Sequence, residues 1–596
     1  MRTTRFTVAM PRPETHLYAI TMEIDPGPAA KEGTTLDVVL PVWTPGSYLV
    51  REFSRHIRDF SAKGKNGRPL SAVKVEKNRW RVSLPSKKSE SRGLISISYR
   101  VYAHELTVRT SHLDASHGYG NGANLFFYVE GRKDEPVEVT FRLPRGWKTS
   151  MALPARGGVF RAASYDELVD SPFECGTHRT FDFRVKGVPH TLAIWGTGNE
   201  DAPRLVKDLK KLVGEAASLF GGLPYERYLF LAHLAPGARG GLEHRASQSV
   251  AVDPWAFKPA KAYRDTLLLF SHELFHAWNV KRIRPEMLGP FDYTREVHTK
   301  DLWAMEGITS YYEVLLAVRA GLLTPAQGFE EWMTSWTGHL ETPGRAVQSA
   351  EMASFDTWIR FYRPDENSVN VAESYYRRGQ LLGLGLDLTI RGATAGRRGL
   401  DDVMRLLWRR WGAKGRGYPE RAVEDAAARV LGSRAKASRF FDRYVRGTES
   451  PELGSLLPAA GLALQLVPEA EEGVTEESPV RTRGDFGWKT KTENGRLLVA
   501  EVREGGAAMR AGVSAADEIV AIDGVRASED FLRRKAIEAG PGARIRVSVF
   551  RRERLREIGL ALGARKAGVW KIAPAKGASP TAKRLARRWL GGPAGG

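Results

Sequence analysis

The run from Thr266 to Asn279 contains neither proline nor glycine, is largely apolar, and carries His272-Glu273-Leu274-Phe275-His276. It reads as a mostly buried helix, and two histidines four apart leave such a helix on the same face. That geometry suits two nitrogen ligands on one zinc ion. Glu273, one residue after the first histidine, can reach a water bound to the metal. The competing reading is a pair of core histidines beside a glutamate.

A third ligand separates the two readings. Leu302-Trp303-Ala304-Met305-Glu306-Gly307-Ile308-Thr309-Ser310-Tyr311-Tyr312 reads as a second helix, continued by Val314, Leu315 and Leu316. Glu306 stands near its start among apolar and aromatic neighbours, where a plain surface carboxylate is out of place. His272, His276 and Glu306 would hold one zinc per chain and leave the fourth position open for water, as hydrolysis requires.

The chain has 596 residues, too many for one ordinary core, so several domains are expected. Leu17–Ile24, Leu36–Leu40 and Leu94–Tyr102 have strand-like content, and residues 1–187 read as an all-β, sandwich-like domain. From 188 to 465 the pattern becomes mixed and then helical. Ala202–Phe220 is an amphipathic helix, and Tyr228–Leu234 a buried strand. Gly240-Gly241-Leu242-Glu243-His244 lacks the lysine and hydroxyl residue of a phosphate loop, and its glycines would let backbone approach a bound peptide. Residues 466–482 have the acidic composition of a linker, 483–566 form a separate module, and 567–596 are a basic tail, either a short docked helix or loose. The linker implies that everything from 483 onward can be removed without disturbing the site.

A single cysteine, Cys175, excludes an intrachain disulfide framework. The net charge of +21 is dispersed among acids, and no nucleic-acid module is recognisable, so no nucleic-acid partner is expected. No stretch is apolar enough to span a membrane, and Met1–Val8 lacks the apolar core of a signal peptide, so a cytoplasmic location is expected.

These motifs together resemble the glycyl aminopeptidase family of gluzincin zinc metallopeptidases with a C-terminal PDZ domain. The resemblance rests on Trp43-Thr44-Pro45-Gly46-Ser47-Tyr48, Gly240–His244, the two helices above and Ser374-Tyr375-Tyr376-Arg377-Arg378-Gly379, all in the family's order. The last module carries the PDZ-like Leu498–Val502, Gly505–Val513 and Asp517–Gly524, with Phe486-Gly487-Trp488 near the usual carboxylate loop but departing from its Gly-Leu-Gly-Phe form.

The resemblance implies a β domain, a thermolysin-like α+β and helical catalytic domain, and a PDZ domain. It implies Glu273 as general base and Tyr376, with Tyr375 its competitor, as oxyanion donor. It also implies Glu243 as anchor of the substrate's free amine, beside Gly240 and Gly241, and a preference for N-terminal Gly or Ala. Peptides with a free N-terminus are the expected substrates, and the PDZ groove would take a peptide C-terminus or an intramolecular contact. A zinc endopeptidase of the same fold and a non-catalytic PDZ-based binding protein are the alternatives.

Overall fold

A computed structural model describes residues 2–27, 34–65, 67–84, 93–470 and 475–591, which form two compact units. The first comprises Met1–Thr299, Tyr312–Leu323 and Met404–Ala422; the second comprises Lys300–Tyr311, Thr324–Val403 and Val423–Gly596.

The first unit opens with a β sandwich. Along Leu17–Ile24 side chains alternate between core and surface, and the strand pairs antiparallel with Ile95–Tyr102 over its full length, as a one-sided sheet requires. These are the fifth and sixth strands of an eight-stranded sheet. A four-stranded sheet containing Thr35–Val39 and Arg79–Ser83 shares its core, in which Phe6, Ile20, Val38, Val82 and Ile97 are buried.

A five-stranded sheet follows, in the order Arg179–Val185, Val188–Trp195, Tyr228–Leu234, Ser247–Val252, Gly240–Glu243. Arg179–Val185 pairs with Val188–Trp195, so the last strand before residue 187 already belongs to this sheet. Tyr228–Leu234 is buried at every position, between two parallel neighbours. Gly240–Glu243 is the edge strand, antiparallel to Ser247–Val252. Helix Ala202–Phe220 has the bounds its periodicity predicts: Asp201 caps its start, accepting from Arg204 N, and Gly221 ends it at φ +81°. Helix Ala260–Phe275 packs on the two strands at the Gly240 edge.

The second unit contains helices Pro325–Leu340 and Tyr375–Ala393 and a C-terminal module. The module is an antiparallel sheet ordered Trp488–Glu493, Arg496–Val502, Glu518–Ile522, Arg544–Arg551, Arg554–Ala561, with helices Ala507–Ala511 and Glu529–Ala539. Its own core includes Val499, Ile522, Val547 and Val549. Thr482–Asp485 pairs with Gly563–Lys566.

The acidic segment is not wholly a connector. Leu462–Pro468 is a strand paired antiparallel with Gly568–Pro574, while 471–474 lie outside the described residues. The basic C-terminus takes the docked form: Pro580–Leu590 is a helix, and Trp589 is completely buried. No helix among the described residues is long and apolar enough to cross a membrane.

Candidate metal centre and active site

Helix Ala260–Phe275 begins six residues earlier than the apolar run suggests, and His276 is its C-cap, still in helical conformation (φ −60°, ψ −20°). The four-residue spacing therefore keeps both rings on one face, with centroids 4.6 Å apart. His272, Glu273 and His276 are all buried.

Each histidine is held from behind. His272 Nδ1 lies 2.5 Å from Glu313 Oε2, and His276 Nδ1 lies 2.8 Å from the Asn279 carbonyl. Both partners accept, so each ring carries its proton on Nδ1 and its lone pair on Nε2, the arrangement of metal-ligating histidines.

The acceptor for His276 depends on a strained turn. Val280, a β-branched residue, has φ +99°, and the turn is closed by Lys281 N to His276 O at 3.1 Å and Ile283 N to Trp278 O at 2.7 Å. Ser271 Oγ donates to the Glu313 carbonyl at 3.0 Å, and the Phe275 and Tyr312 rings stack at 4.6 Å. The helix carrying Glu313 is thereby fixed against the histidine helix.

Glu306 is buried in the second unit, in a π-helical turn Trp303–Gly307 that runs into helix Ile308–Arg319. A plain α-helix was the expectation. The turn packs against Gly379: a Cβ on Gly307 would stand 2.2 Å from Gly379 Cα. Such single π turns inside helices recur at functional sites. Two imidazoles and a carboxylate form a donor set that fits zinc with an open position.

The edge strand explains its glycines. A Cβ on Gly241 would lie 1.9 Å from Glu273 Oε1, so only glycine lets this strand pass the carboxylate. Gly240 has φ +138°. Glu243 is buried, and a Cβ on Gly46 (φ +89°) would sit 2.6 Å from both of its carboxylate oxygens. The Trp43–Tyr48 loop thus closes over Glu243. Glu243, Glu273 and His276 offer ligand atoms within 4.8 Å of one another.

His244, whose place after Glu243 differs from the better-known aminopeptidase branch, points its Nδ1 at Asp170 Oδ1, 3.3 Å away. Asp170 also receives Arg245 N and Lys281 Nζ, each at 2.8 Å. Burial raises the Asp170 carboxyl, but Lys281 and His244 outweigh it and hold it well below the ordinary range. Lys281 Nζ is 3.9 Å from Glu243 Oε1, so its firmer contact is with Asp170.

Tyr375 and Tyr376 open helix Tyr375–Ala393, their rings 4.7 Å apart. Tyr375 is fully buried, and its hydroxyl accepts from Thr357 Oγ1 at 3.2 Å; Tyr376 is partly exposed.

Glu313 was missed in the sequence although a signal existed. It lies seven residues after Glu306 in one helical run, so the two acids share a face. The Asn279 carbonyl had no such signal, because a backbone acceptor is set by a turn.

Residues 5–177 match the Peptidase M61 N-terminal domain, and residues 265–382 match the M61 glycyl aminopeptidase. A solved structure described as an aminopeptidase N family protein from Idiomarina loihiensis is 29% identical, with 98% of this chain and 100% of that chain covered and a TM-score of 0.90. An M1 zinc metallopeptidase from Deinococcus radiodurans is 17% identical over 76% of this chain and 95% of its own, with a TM-score of 0.48. No curated protein matches the sequence.

Proposed function

We propose that this chain, which carries M61 peptidase domains, is a zinc-dependent aminopeptidase that releases the N-terminal residue, Gly or Ala, from peptides. The observation that carries the reading is the pairing of two buried carboxylates, Glu243 and Glu273, with oxygens within 4.8 Å of one another beside His276. Like charges so close and so buried repel, and a cation between or beside them relieves the repulsion. A substrate α-ammonium at Glu243 and a divalent ion at His276 would both do so.

His272, His276 and Glu306 would hold one zinc ion. When bound, the metal polarises the scissile carbonyl and acidifies a water. Glu273 takes the water's proton and passes it to the leaving amine. Tyr376 donates its phenol proton in a hydrogen bond to the developing oxyanion. It is preferred to Tyr375 because Tyr375 is fully buried whereas Tyr376 is partly exposed. Glu243 anchors the free amine.

The C-terminal module is assigned a PDZ fold, supported by its antiparallel sheet and two helices around one core. Of its two expected partners, an intramolecular contact has support: Asn370 donates to the Val502 carbonyl at 2.9 Å and accepts from Glu504 N at 2.8 Å.

The test is zinc content together with hydrolysis of free and N-acetylated peptides with varied first residues, with and without a chelator. About one catalytic zinc, chelator-sensitive cleavage and a strong preference for free amines are expected. Full activity in metal-free protein would sink the zinc assignment, and equal cleavage of acetylated peptides would favour an endopeptidase.

A further inference from the structure

Strands His112–Leu113 and His117–Gly120 pair as a hairpin that gathers His112, Asp114 and His117, with one ligand atom of each within 4.8 Å of the others. Their polar atoms are not satisfied by one another. His112 Nδ1 lies 2.9 Å from the His104 carbonyl, which can only accept, so Nδ1 carries the proton. In the neutral ring Nε2 is then a lone pair, yet it faces Asp114 Oδ2 at 3.2 Å. Asp114 accepts from Ser116 N, Ser116 Oγ and His117 N on its other oxygen, the pattern of an ionised carboxylate. With a neutral ring an acceptor faces an acceptor, and a cation bound between them would relieve it.

His117 adds a second, independent observation. Its Nδ1 is 2.8 Å from Glu174 Oε1, its ring is wholly buried against Trp195, and its Nε2 has no hydrogen-bond partner. An imidazolium at His112 would satisfy Asp114 but leave this nitrogen orphaned, at the cost of an unmade hydrogen bond.

We propose that His112, Asp114 and His117 bind a second divalent ion of the zinc class. Two imidazoles and one carboxylate favour zinc, cobalt, nickel or copper over calcium and magnesium, which prefer all-oxygen sites. The outer shell is already built: a carboxylate, Glu174, holds one ring by Nδ1 and a backbone carbonyl holds the other. His272 and His276 show the same division between Glu313 and Asn279. Glu174 also reaches His233 Nε2 at 3.0 Å, and His233 lies in the central strand Tyr228–Leu234. Glu174 thereby ties the hairpin to the five-stranded sheet, and an ion held at the hairpin would add to that structural connection.

The experiment measures zinc per chain in purified full-length protein after dialysis against metal-free buffer. Wild type should hold two, Asp114→Asn and His117→Gln one each, and His272→Gln/His276→Gln one that disappears when Asp114→Asn is added. Asp114→Asn, at the partly exposed end of the cluster, serves if His117→Gln does not fold. One zinc that survives His272→Gln/His276→Gln but not Asp114→Asn would uphold this site and sink the proposed catalytic one. No zinc in wild type, a single zinc lost with His272 and His276, or two retained in both hairpin variants would overturn the proposal.

Discussion

Trp589 Nε1 donates a 2.7 Å hydrogen bond to Tyr311 Oη, and Tyr311 donates in turn to Asp387 Oδ2 at 2.6 Å. Asp387 is further held by Leu400 N at 2.7 Å and Arg391 Nε at 2.8 Å. The Trp589 ring stacks on Trp332 at 5.5 Å, and Tyr311 stacks on Trp332 at 5.3 Å. Tyr311 follows Glu306 by five residues in one helical run. The last helix of the chain therefore braces the helix that starts at the candidate ligand, which argues against removing residues from 483 onward without cost.

Trp589→Ala should destabilise the protein by about 3–5 kcal/mol, the usual cost of emptying a buried tryptophan site. Trp589→Phe keeps much of the packing and should lose nearer ~1 kcal/mol for the hydrogen bond plus some contact area. Urea unfolding of both variants measures this. A chain ending at residue 482 should unfold or aggregate; one that folds and keeps its metal would show the brace to be unnecessary.

Glu313→Gln should weaken zinc binding about 10–100-fold, because His272 loses the carboxylate that fixes its tautomer and orientation. Competition against a chelator of known affinity reads the change directly. Unaltered affinity would mean that Glu313 does not orient the ring.

Glu273→Gln should keep its zinc and lose hydrolysis by orders of magnitude, because the proposed base is removed and the ligands are untouched. Activity near wild type would refute the role, as would loss of metal in parallel with activity.

Cys175 should be inert to thiol reagents in the native state. Burial, with the neighbouring Glu174 adding to it, pushes the thiol well above its ordinary value, although Thr149 Oγ1, 3.4 Å away, works in the other direction. The native thiol stays protonated where the unfolded one ionises, from about pH 8.5. Its contribution to stability is thus complete below that pH and is lost as pH rises. Labelling at pH 8 should occur only on unfolding, and prompt native labelling would contradict the assignment.

What could be read from the sequence was whatever depends on local periodicity. Ala202–Phe220 and Tyr228–Leu234 have the bounds expected, since an amphipathic stripe and a continuous apolar run each fix one element. Gly383 and Gly385 bring their helix against Tyr311 and Pro451, where an added Cβ would lie 3.1 and 2.9 Å away. The π-helical turn was not legible, because its cause is the approach of Gly307 to Gly379, 72 positions away in sequence. Nor was the docking of the basic C-terminus. The sequence leaves a docked helix and a loose tail both open, and the burial of Trp589 against its partners decides between them. The orienting carboxylate Glu174 likewise emerges only when distant strands meet.

Glu243→Gln tests whether this carboxylate makes the enzyme an aminopeptidase. Glu243 is buried under the Gly46 loop, on the edge strand whose Gly241 lies against Glu273, so a substrate amine there is close to the proposed base. Such an ion pair is largely desolvated, and losing it should cost about 2–5 kcal/mol of transition-state binding. Turnover of free-amine peptides should fall by a factor of tens or more. Acetylated peptides never use the contact, so the gap between the two classes should narrow. Tyr376→Phe supplies the contrast, because an oxyanion donor serves both substrates and its loss should slow both alike. The readout is the ratio of kcat/KM for a free and an acetylated peptide in wild type and the two variants. A ratio unchanged by Glu243→Gln would remove Glu243 as the amine anchor and leave Lys281, 3.9 Å away, as its structural partner.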